Sequence, residues 1–420
     1  MILTTNDSVP EPAEAVRAPR RVHRWWAVPL AVVGVAAVAA PVVLSFVPAK
    51  YFATKPHCVR YEQNEAGEVV CTKSVRQDAE FALVPANAEA VSPRLAITGV
   101  PLYDSPGQIY FVTVREQWIS VIDWFVTRDN PAARLRSYEE KYPDNQTPAQ
   151  LDQLGQRQMR SAQDNAVYVA LKAAGFDVQL TPGEVIIDGL VCLEANEANT
   201  ECVTYSPADE VLDPGDVLTK VNGVALDTID DLGPIMADVE PGAMIPVEFQ
   251  RDGVSKTGEI ETILAPGEDE PRTIIGFRPI DTTTVTLPDG LGVQFNTENI
   301  NGPSAGLAFT LELIDELTEG DLMGGNRVAV TGTIDVNGNV GAIGGLNSKA
   351  SAVLQVGVKY FLVPTGQGED GIDGLEGARA VVGDAVELIP VATLAEALAA
   401  LERIGGDPVQ LVDAPTDTTG

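Results

Sequence analysis

The chain has 420 residues, and its 60 acidic and 28 basic side chains give a formal net charge of -32 at pH 7. This length exceeds what one ordinary hydrophobic core organises, so two or three domains are expected. The acidic balance argues against a nucleic-acid partner, because such a chain has no basic surface with which to displace phosphate counterions. A solvated acidic surface is the expected use of the charge.

The N-terminal segment predicts a membrane anchor. Residues 25–47 form an uncharged run of about 23 residues, which is long enough to cross a bilayer with some tilt. Arginines are concentrated in residues 17–24, so the positive-inside rule places residues 1–24 in the cytoplasm and the bulk of the chain outside the cell membrane. A cleaved signal peptide is the alternative, since residues 37–39 (Ala-Val-Ala) fit a cleavage site. The apolar run continues to Val47, however, and favours an uncleaved anchor.

The juxtamembrane region, residues 48–175, predicts strands followed by a helix. The runs "RLAITGV", "QIYFVTV" and "WISVIDWFV" lie among turn residues and predict strands or buried segments. Residues 147–175 open with a capping threonine and a proline and close with a glycine, so they predict a helix that Gly155 could interrupt. This region carries no catalytic pattern and is expected to pack on the proteolytic domain described below.

The four cysteines fall into two local pairs, Cys58 with Cys71 and Cys192 with Cys202. An even number and local pairing favour two disulfide-closed loops in an oxidising compartment, in agreement with an extracytoplasmic location. Four unpaired thiols are the alternative that the sequence leaves open. The spacings differ from the short C-x-x-C pairs of zinc sites, and no metal or cofactor is expected.

Residues 176–265 predict a second, β-rich unit. Within it the run "SPADEVLDPGDVLTKVNG" gives a short helix, the pattern Leu-x-x-Gly-Asp and a strand that ends in an Asn-Gly turn. This run resembles the second half of a PDZ domain, although "CLEANEANTEC" is inserted before it. The resemblance implies capture of an extended peptide or a C-terminus by strand addition. A spacer whose groove is filled from within the chain is the alternative.

Several kinds of catalysis are disfavoured by what the sequence lacks. The only two histidines, His23 and His57, flank the apolar run, so a Ser-His-Asp triad is nearly excluded. The sequence has no H-E-x-x-H pattern for metal-assisted hydrolysis. It also has no phosphate-binding G-x-x-x-x-G-K-[ST] loop, and "GVSKTG" at 253–258 is only a near miss. An ATP-driven motor in these residues is therefore not expected.

The run "NGPSAG" places Ser304 where a loop becomes a helix. Capping that helix is an ordinary role for a serine. A nucleophilic role requires a base, and Lys349 lies in the first turn of a later predicted helix, after Asn347 or Ser348 as cap. The helix dipole and apolar neighbours lower a lysine pKa there, as a general base requires. Backbone amides at the start of the first helix, with Ala305 and Gly302 as candidates, are suited to stabilising an oxyanion.

The runs "NGPSAG", "AVTGTIDVNGNVGAIGGLNSK" and "GVKYFLVP" resemble the proteolytic domain of Lon-type serine peptidases, over residues 272–404. The order of units is similar to that of membrane-anchored, PDZ-containing Lon-like proteins. The resemblance implies that Ser304 is the nucleophile, that Lys349 is the general base and that Thr331 hydrogen-bonds the lysine amine. It also implies that no cofactor is needed and that the chain can assemble into a homo-oligomer, a hexamer in many relatives.

Taken together, the sequence predicts an α/β multidomain protein with an α+β Lon-type domain, a PDZ-like domain, one N-terminal transmembrane helix and a flexible tail over 405–420. The predicted activity is ATP-independent hydrolysis of unfolded or extended polypeptides, with the PDZ-like unit capturing or gating them. Two alternatives stay open. One is a catalytically silent PDZ adaptor that serves assembly, and the other is an enzyme that cleaves only itself.

Overall fold

The computed structural model describes residues 27–63, 69–142, 148–181, 183–195, 202–265, 272–281, 283–298, 300–367 and 374–409. The α-helices in these ranges are α1 (Ala27–Leu44), α2 (Val121–Thr127), α3 (Tyr138–Lys141), α4 (Pro148–Ala173), α5 (Leu232–Met236), α6 (Gly306–Leu317), α7 (Leu346–Val356), α8 (Leu375–Val382) and α9 (Leu394–Arg403).

The strands of the same ranges are β1 (Thr54–Gln63), β2 (Val69–Asp78), β3 (Phe81–Ala90), β4 (Leu95–Thr98), β5 (Gln108–Trp118), β6 (Arg134–Arg136), β7 (Gln179–Thr181), β8 (Val185–Leu190), β9 (Cys192–Ala195), β10 (Cys202–Tyr205), β11 (Val217–Val221), β12 (Val224–Ala225), β13 (Met244–Arg251), β14 (Val254–Glu261), β15 (Ile263–Leu264), β16 (Thr273–Ile274), β17 (Phe277–Asp281), β18 (Thr284–Thr286), β19 (Gly292–Phe295), β20 (Arg327–Val330), β21 (Thr333–Ile334), β22 (Val340–Gly341), β23 (Tyr360–Pro364) and β24 (Glu387–Val391).

A six-stranded sheet organises the unit that contains Ser304. Its strand order is β24-β23-β20-β5-β3-β6, in which β24, β23, β20 and β5 are mutually parallel and β3 and β6 add in antiparallel fashion. Three of its strands come from residues 81–136, which the sequence analysis placed in the region that packs on the proteolytic domain. The sheet is therefore assembled from two separate stretches of the chain.

Both faces of this sheet are covered by helices. Val328 and Val330 point into one core, with side chains of α4, α6 and α9, whereas Ala329 points into a second core with α7 and α8. This alternation follows from the two-residue period of a strand. Because helices cover both faces, the central strands are apolar on both sides, as is usual for parallel strands buried between helices.

Helix α4 runs without interruption through Gly155. The predicted break at this glycine is therefore wrong. The glycine instead permits a close packing contact, because a β-carbon at position 155 would lie 2.8 Å from the β-carbon of Asn301. Further along, the fully buried Ala166 and Ala170 belong to the core that α4 shares with α6.

The β-rich unit is an antiparallel sheet of order β14-β13-β11-β8-β17, with β12 paired to β11. Its Asn222-Gly223 turn has positive φ at both residues, as the two-residue hairpin between β11 and β12 requires. The acidic Pro/Gly segment 266–271 lies outside the described residues. Strand β17 follows this segment in the chain and pairs with β8. Both edges of β8 are therefore occupied, one by β11 and the other by β17.

Cys192 and Cys202 form a disulfide that joins β9 to β10. Among the cysteines that the structure describes, none is free. Cys58 and Cys71 lie on the paired strands β1 and β2, but their side chains fall outside the described part of the chain. The alternative of unpaired thiols is thus excluded for the 192–202 pair.

A transmembrane helix is predicted over 25–47, and residues Ala27–Leu44 of this run form α1, which contains Pro41. Over the ranges that the structure describes, no helix combines the length and the apolar character needed to cross a membrane. Residues 1–24 and most of the predicted tail lie outside those ranges.

Two carboxylic acids are buried on α6. Burial raises the pKa of Glu312 to about 8, and the nearby charges of Asp315 and Glu316 act in the same direction. Burial also raises the pKa of Asp315 to about 6, although the Leu322 amide donates a hydrogen bond to it. The side chain of Glu312 is only 4% exposed, so its ionisation places a charge inside the core.

This burial predicts that stability falls as pH rises. The folded-state pKa of Glu312 exceeds its ordinary value of 4.5, so its contribution to the free energy of unfolding is fully present below about pH 4.5 and is lost as pH rises through about 8. Glu312→Gln keeps an acceptor and removes the titration. We expect this variant to be more stable than the parent above pH 8, by on the order of 3 kcal/mol.

The measurement is the free energy of unfolding in denaturant at pH 5, 7 and 9. Glu319→Gln serves as the control, because Glu319 is exposed just beyond the same helix. A Glu312→Gln variant with the same pH dependence as the parent would contradict the prediction.

Candidate active site

Ser304 belongs to the loop that enters α6, but its side chain does not cap this helix. The N-cap residue is Ala305, and no side-chain capping hydrogen bond is made there. The Ser304 hydroxyl instead lies 2.7 Å from the amine of Lys349. The loop residue that could have been an ordinary cap is thus paired with a lysine from a different helix.

Lys349 is presented by the first turn of α7. This helix begins at Leu346, after Gly345, which has a left-handed conformation and serves as N-cap. The predicted caps, Asn347 and Ser348, are therefore wrong; both are helical, and the Ser348 hydroxyl donates to the carbonyl of Ala132. A helix that starts earlier than predicted still leaves Lys349 within its first turn.

Thr331 completes a chain of hydrogen bonds that runs across the site. It follows β20, and its hydroxyl donates to the backbone carbonyl of Ser304 at 3.1 Å. The same hydroxyl oxygen accepts from Lys349 Nζ at 2.9 Å. Because the threonine proton is used on the carbonyl, the lysine must supply an N–H to Thr331 and can direct its lone pair at Ser304.

The surroundings of Lys349 favour the uncharged amine. Its side chain is only 2% exposed, and removal from water disfavours the ammonium form of a lysine. The position in the first turn of α7 acts in the same direction, because the N-terminal end of a helix carries partial positive charge. An uncharged amine 2.7 Å from the Ser304 hydroxyl has the geometry of a general base.

The two candidate oxyanion donors differ in availability. The amide of Gly302 donates to the carbonyl of Gly155 at 2.9 Å, so it is already engaged. The amides of Ser304 and Ala305 have no acceptor among the described residues. These two N–H groups lie next to the Ser304 hydroxyl, which suits them to hold an oxyanion that develops there.

Several residues that hold the loop of Ser304 by hydrogen bonds were not predicted from the sequence. The Gly332 amide donates to the Ser304 carbonyl at 3.0 Å, and the Gly332 carbonyl accepts from the Leu307 amide at 3.1 Å. On the other side, the side chain of Asp152 in α4 accepts from Asn301 at 2.7 Å. Gly155 was the available signal, because a glycine inside a helical pattern usually has a packing reason.

One known protein family matches the part of the chain that contains Ser304, Thr331 and Lys349. Residues 293–402 match the Lon protease (S16) C-terminal proteolytic domain. Within the described residues, no cluster of three or more histidine, cysteine, aspartate or glutamate side chains is placed to hold a metal ion.

The curated relatives are Lon proteases. The Lon protease of Neorickettsia sennetsu is 37% identical over 98 residues, which are 23% of this chain and 11% of the relative. The Lon protease of Xanthomonas oryzae is 38% identical over 120 residues, 28% of this chain and 13% of the relative. The archaeal Lon protease of Methanocaldococcus jannaschii is 35% identical over 106 residues, 25% of this chain and 15% of the relative. The chain thus spans well under a fifth of the length of these relatives.

Solved structures similar to part of the chain include PDZ domains. The PDZ domain of an SdrC-like protein from Listeria monocytogenes covers 24% of this chain and 93% of its own length, with 16% identity and a TM-score of 0.19. The corresponding domain from Listeria innocua covers 22% and 93%, with 17% identity and a TM-score of 0.17. These TM-scores are too low to establish a shared fold, so the PDZ-like assignment of 176–265 stays a prediction.

Thr331→Val tests the hydrogen-bond chain of the site. The substitution is nearly isosteric, but it removes the acceptor of the Lys349 N–H and the donor to the Ser304 carbonyl. We expect the rate of Ser304 modification by a serine-reactive phosphonate to fall roughly 10- to 100-fold.

The control for this measurement is Thr318→Val at the end of α6, whose hydroxyl donates to the Ile314 carbonyl away from the site. Equal labelling rates in the parent and Thr331→Val would show that Thr331 does not organise the lysine.

Proposed function

We propose that the Lon-type proteolytic domain at residues 293–402 hydrolyses peptide bonds, with Ser304 as nucleophile and Lys349 as general base. The observation that carries the proposal is the 2.7 Å contact between the Ser304 hydroxyl and a buried lysine amine. The match to a serine peptidase domain over the same residues supports it.

The reaction needs only groups of this chain and water. Lys349 accepts the Ser304 proton as Oγ attacks the scissile carbonyl, and the amides of Ser304 and Ala305 hold the oxyanion. As the oxyanion collapses, the C–N bond breaks and the lysine ammonium returns the proton to the leaving amine. Water then repeats the sequence on the acyl-enzyme, giving a carboxylic acid and restoring the Ser304 hydroxyl.

A cavity beside the segment that leads to Ser304 supports a polypeptide as the substrate. A cavity of about 870 Å³ lies between α4 and the segment 294–301, which leads to Ser304. Its wall contains five amide side chains, those of Gln156, Gln163, Gln294, Asn296 and Asn301. Amide groups both donate and accept hydrogen bonds, as the main chain of an extended peptide does. Such a wall can hydrogen-bond the main chain of an extended polypeptide, and the charged side chains beside the amides can select among its residues.

The reaction is proposed to proceed without ATP. These residues contain no phosphate-binding loop of the G-x-x-x-x-G-K-[ST] type, so unfolding of a folded substrate is not part of the proposed activity. The Cys192–Cys202 disulfide supports a location in an oxidising compartment outside the cytoplasm. Assembly into a homo-oligomer, such as a hexamer, remains a prediction from the family resemblance.

For the β-rich unit we propose gating rather than capture along β8. A peptide that adds a strand needs a free sheet edge, and β11 and β17 occupy both edges of β8. Strand β17 is followed by β18 and β19, and β19 leads to the loop of Ser304. The β-rich sheet is thereby connected along the chain to the segment that precedes Ser304, and the proposed gating uses this connection.

Ser304→Ala provides the direct test of the proposed activity. We expect the parent to cleave an unfolded protein such as reduced casein, with and without ATP, and to be labelled by a serine-reactive phosphonate. Ser304→Ala should lose both properties, because its side chain offers no nucleophile. Ser351→Ala on α7 is the control, since the Ser351 hydroxyl contacts only Gln355 among the described hydrogen bonds. Absence of labelling in the folded parent at any pH would favour the silent adaptor.

Lys349→Arg tests the identity of the base. Guanidinium stays protonated at all accessible pH values and cannot accept the serine proton, so turnover should fall by roughly 1,000-fold or more. In the parent, kcat/KM should rise with pH and then level off, because only the uncharged amine accepts a proton. Lys359→Arg, at an exposed position, is the matched control. Retained turnover in Lys349→Arg, or a pH-independent rate in the parent, would remove Lys349 as the base.

A further inference from the structure

Helix α4 lies outside the matched segment 293–402, yet it holds the loop that carries Ser304. The carboxylate of Asp152 accepts a hydrogen bond from Asn301 Nδ2 at 2.7 Å. The carbonyl of Gly155 accepts one from the Gly302 amide at 2.9 Å. Two consecutive loop residues, through a side chain and through the backbone, are thereby fixed to a single helix.

The same helix contacts two further segments near the site. Gln163 Nε2 donates to the hydroxyl of Thr297 at 2.7 Å, where the loop begins. Asn165 Nδ2 donates to the carbonyl of Ile334 at 3.0 Å, three residues after Thr331. Helix α4 therefore touches both segments that face the Lys349 amine.

The absence of a side chain at Gly155 permits this approach. A β-carbon there would lie 2.8 Å from the β-carbon of Asn301, closer than real β-carbons come to other atoms. Helix α4 has little freedom to withdraw, because Ala166 and Ala170 are fully buried in the core it shares with α6. A larger residue at 155 would therefore displace the loop.

We infer that Asp152 and Gly155 are positioning residues that set the distance between Ser304 Oγ and Lys349 Nζ. They act through Asn301 and Gly302 and touch neither reacting atom. The inference rests on the proposed function and extends the catalytic unit to a helix upstream of the matched domain. Its consequence is large because a displacement of about 1 Å between reacting groups costs roughly 100-fold in rate.

Gly155→Ala in the full chain tests the close approach of α4 to the loop. Because alanine is the better helix former, a lower unfolding temperature in this variant would come from the contact with Asn301 and not from the helix itself, and the unfolding temperature is therefore measured beside kcat. We expect kcat on a fluorogenic peptide to fall roughly 10- to 100-fold, with KM changed by less than about threefold. Gly233→Ala in α5, where a β-carbon meets no atom within 4 Å, is the matched control and should leave kcat unchanged.

A double-mutant cycle tests the second contact. Asp152→Ala and Asn301→Ala should each lower kcat. The kcat of the double variant should be no lower than that of the less active single variant, because both substitutions remove the same hydrogen bond. Gln158→Ala, at an exposed position of the same helix, should have no effect. Full additivity of the two losses would overturn the role assigned to Asp152.

A readout independent of peptidase activity uses a Ser304→Cys background. Lys349 stabilises the thiolate of a neighbouring cysteine, so iodoacetamide should alkylate this thiol rapidly, as mapped by mass spectrometry. Adding Gly155→Ala should slow alkylation roughly 10-fold if the loop moves away from the amine. An unchanged alkylation rate, or kcat within about twofold of an active parent, overturns the inference. A folded parent that neither cleaves nor is labelled overturns the proposed function, and the alkylation comparison still decides the role of Gly155.

Discussion

The burial of the Lys349 amine is the constraint around which the site is arranged. A lysine removed from water is costly to keep charged, and the groups at hydrogen-bond distance from its nitrogen include the hydroxyls of Ser304 and Thr331, at 2.7 and 2.9 Å. Both hydroxyls can hydrogen-bond an uncharged amine. The loop of Ser304 thus forms part of the cover that keeps the Lys349 amine from water.

That closure is achieved by joining segments that are distant in the sequence. The carbonyl of Ser304 accepts from the Thr331 hydroxyl and from the Gly332 amide, so the loop of Ser304 is attached to the end of β20. The α4 side of the loop is attached through Asn301 and Gly302. With one side fixed to the sheet and the other to a helix, the loop has little freedom to carry Ser304 away from the amine.

The contact of Ser304 with Lys349 could be anticipated from the sequence, because the absence of a suitable histidine left lysine as the candidate base and short patterns mark the loop and the helix that carry the two residues. Thr331 was named only through the family resemblance, and it also lies within hydrogen-bond distance of the Lys349 amine. The sequence did not reveal that β3 and β5 join the same sheet as β20, since strand pairing over more than 200 residues leaves no local pattern. For the same reason the amide of Gly302 was misjudged: its acceptor, the Gly155 carbonyl, is about 150 residues away.

The errors at helix ends have local causes. The start of α7 was placed too late because Asn347 and Ser348 are common caps, whereas the chain uses Gly345 in a left-handed conformation. Composition indicated the helix, and only the backbone determined where it begins.

The place of β5 beside β20 in the six-stranded sheet has a practical consequence for any truncated form of the protein. A fragment that begins at residue 293 would contain β20, β23 and β24 but not β5, which pairs with β20 along Arg327–Val330. The exposed edge of β20 would then offer unpaired amides and carbonyls beside apolar side chains, a surface that recruits strands from other molecules. The smallest soluble version of the unit that contains Ser304 is therefore expected to begin before Phe81, and a recombinant fragment cut to the family boundary is expected to aggregate.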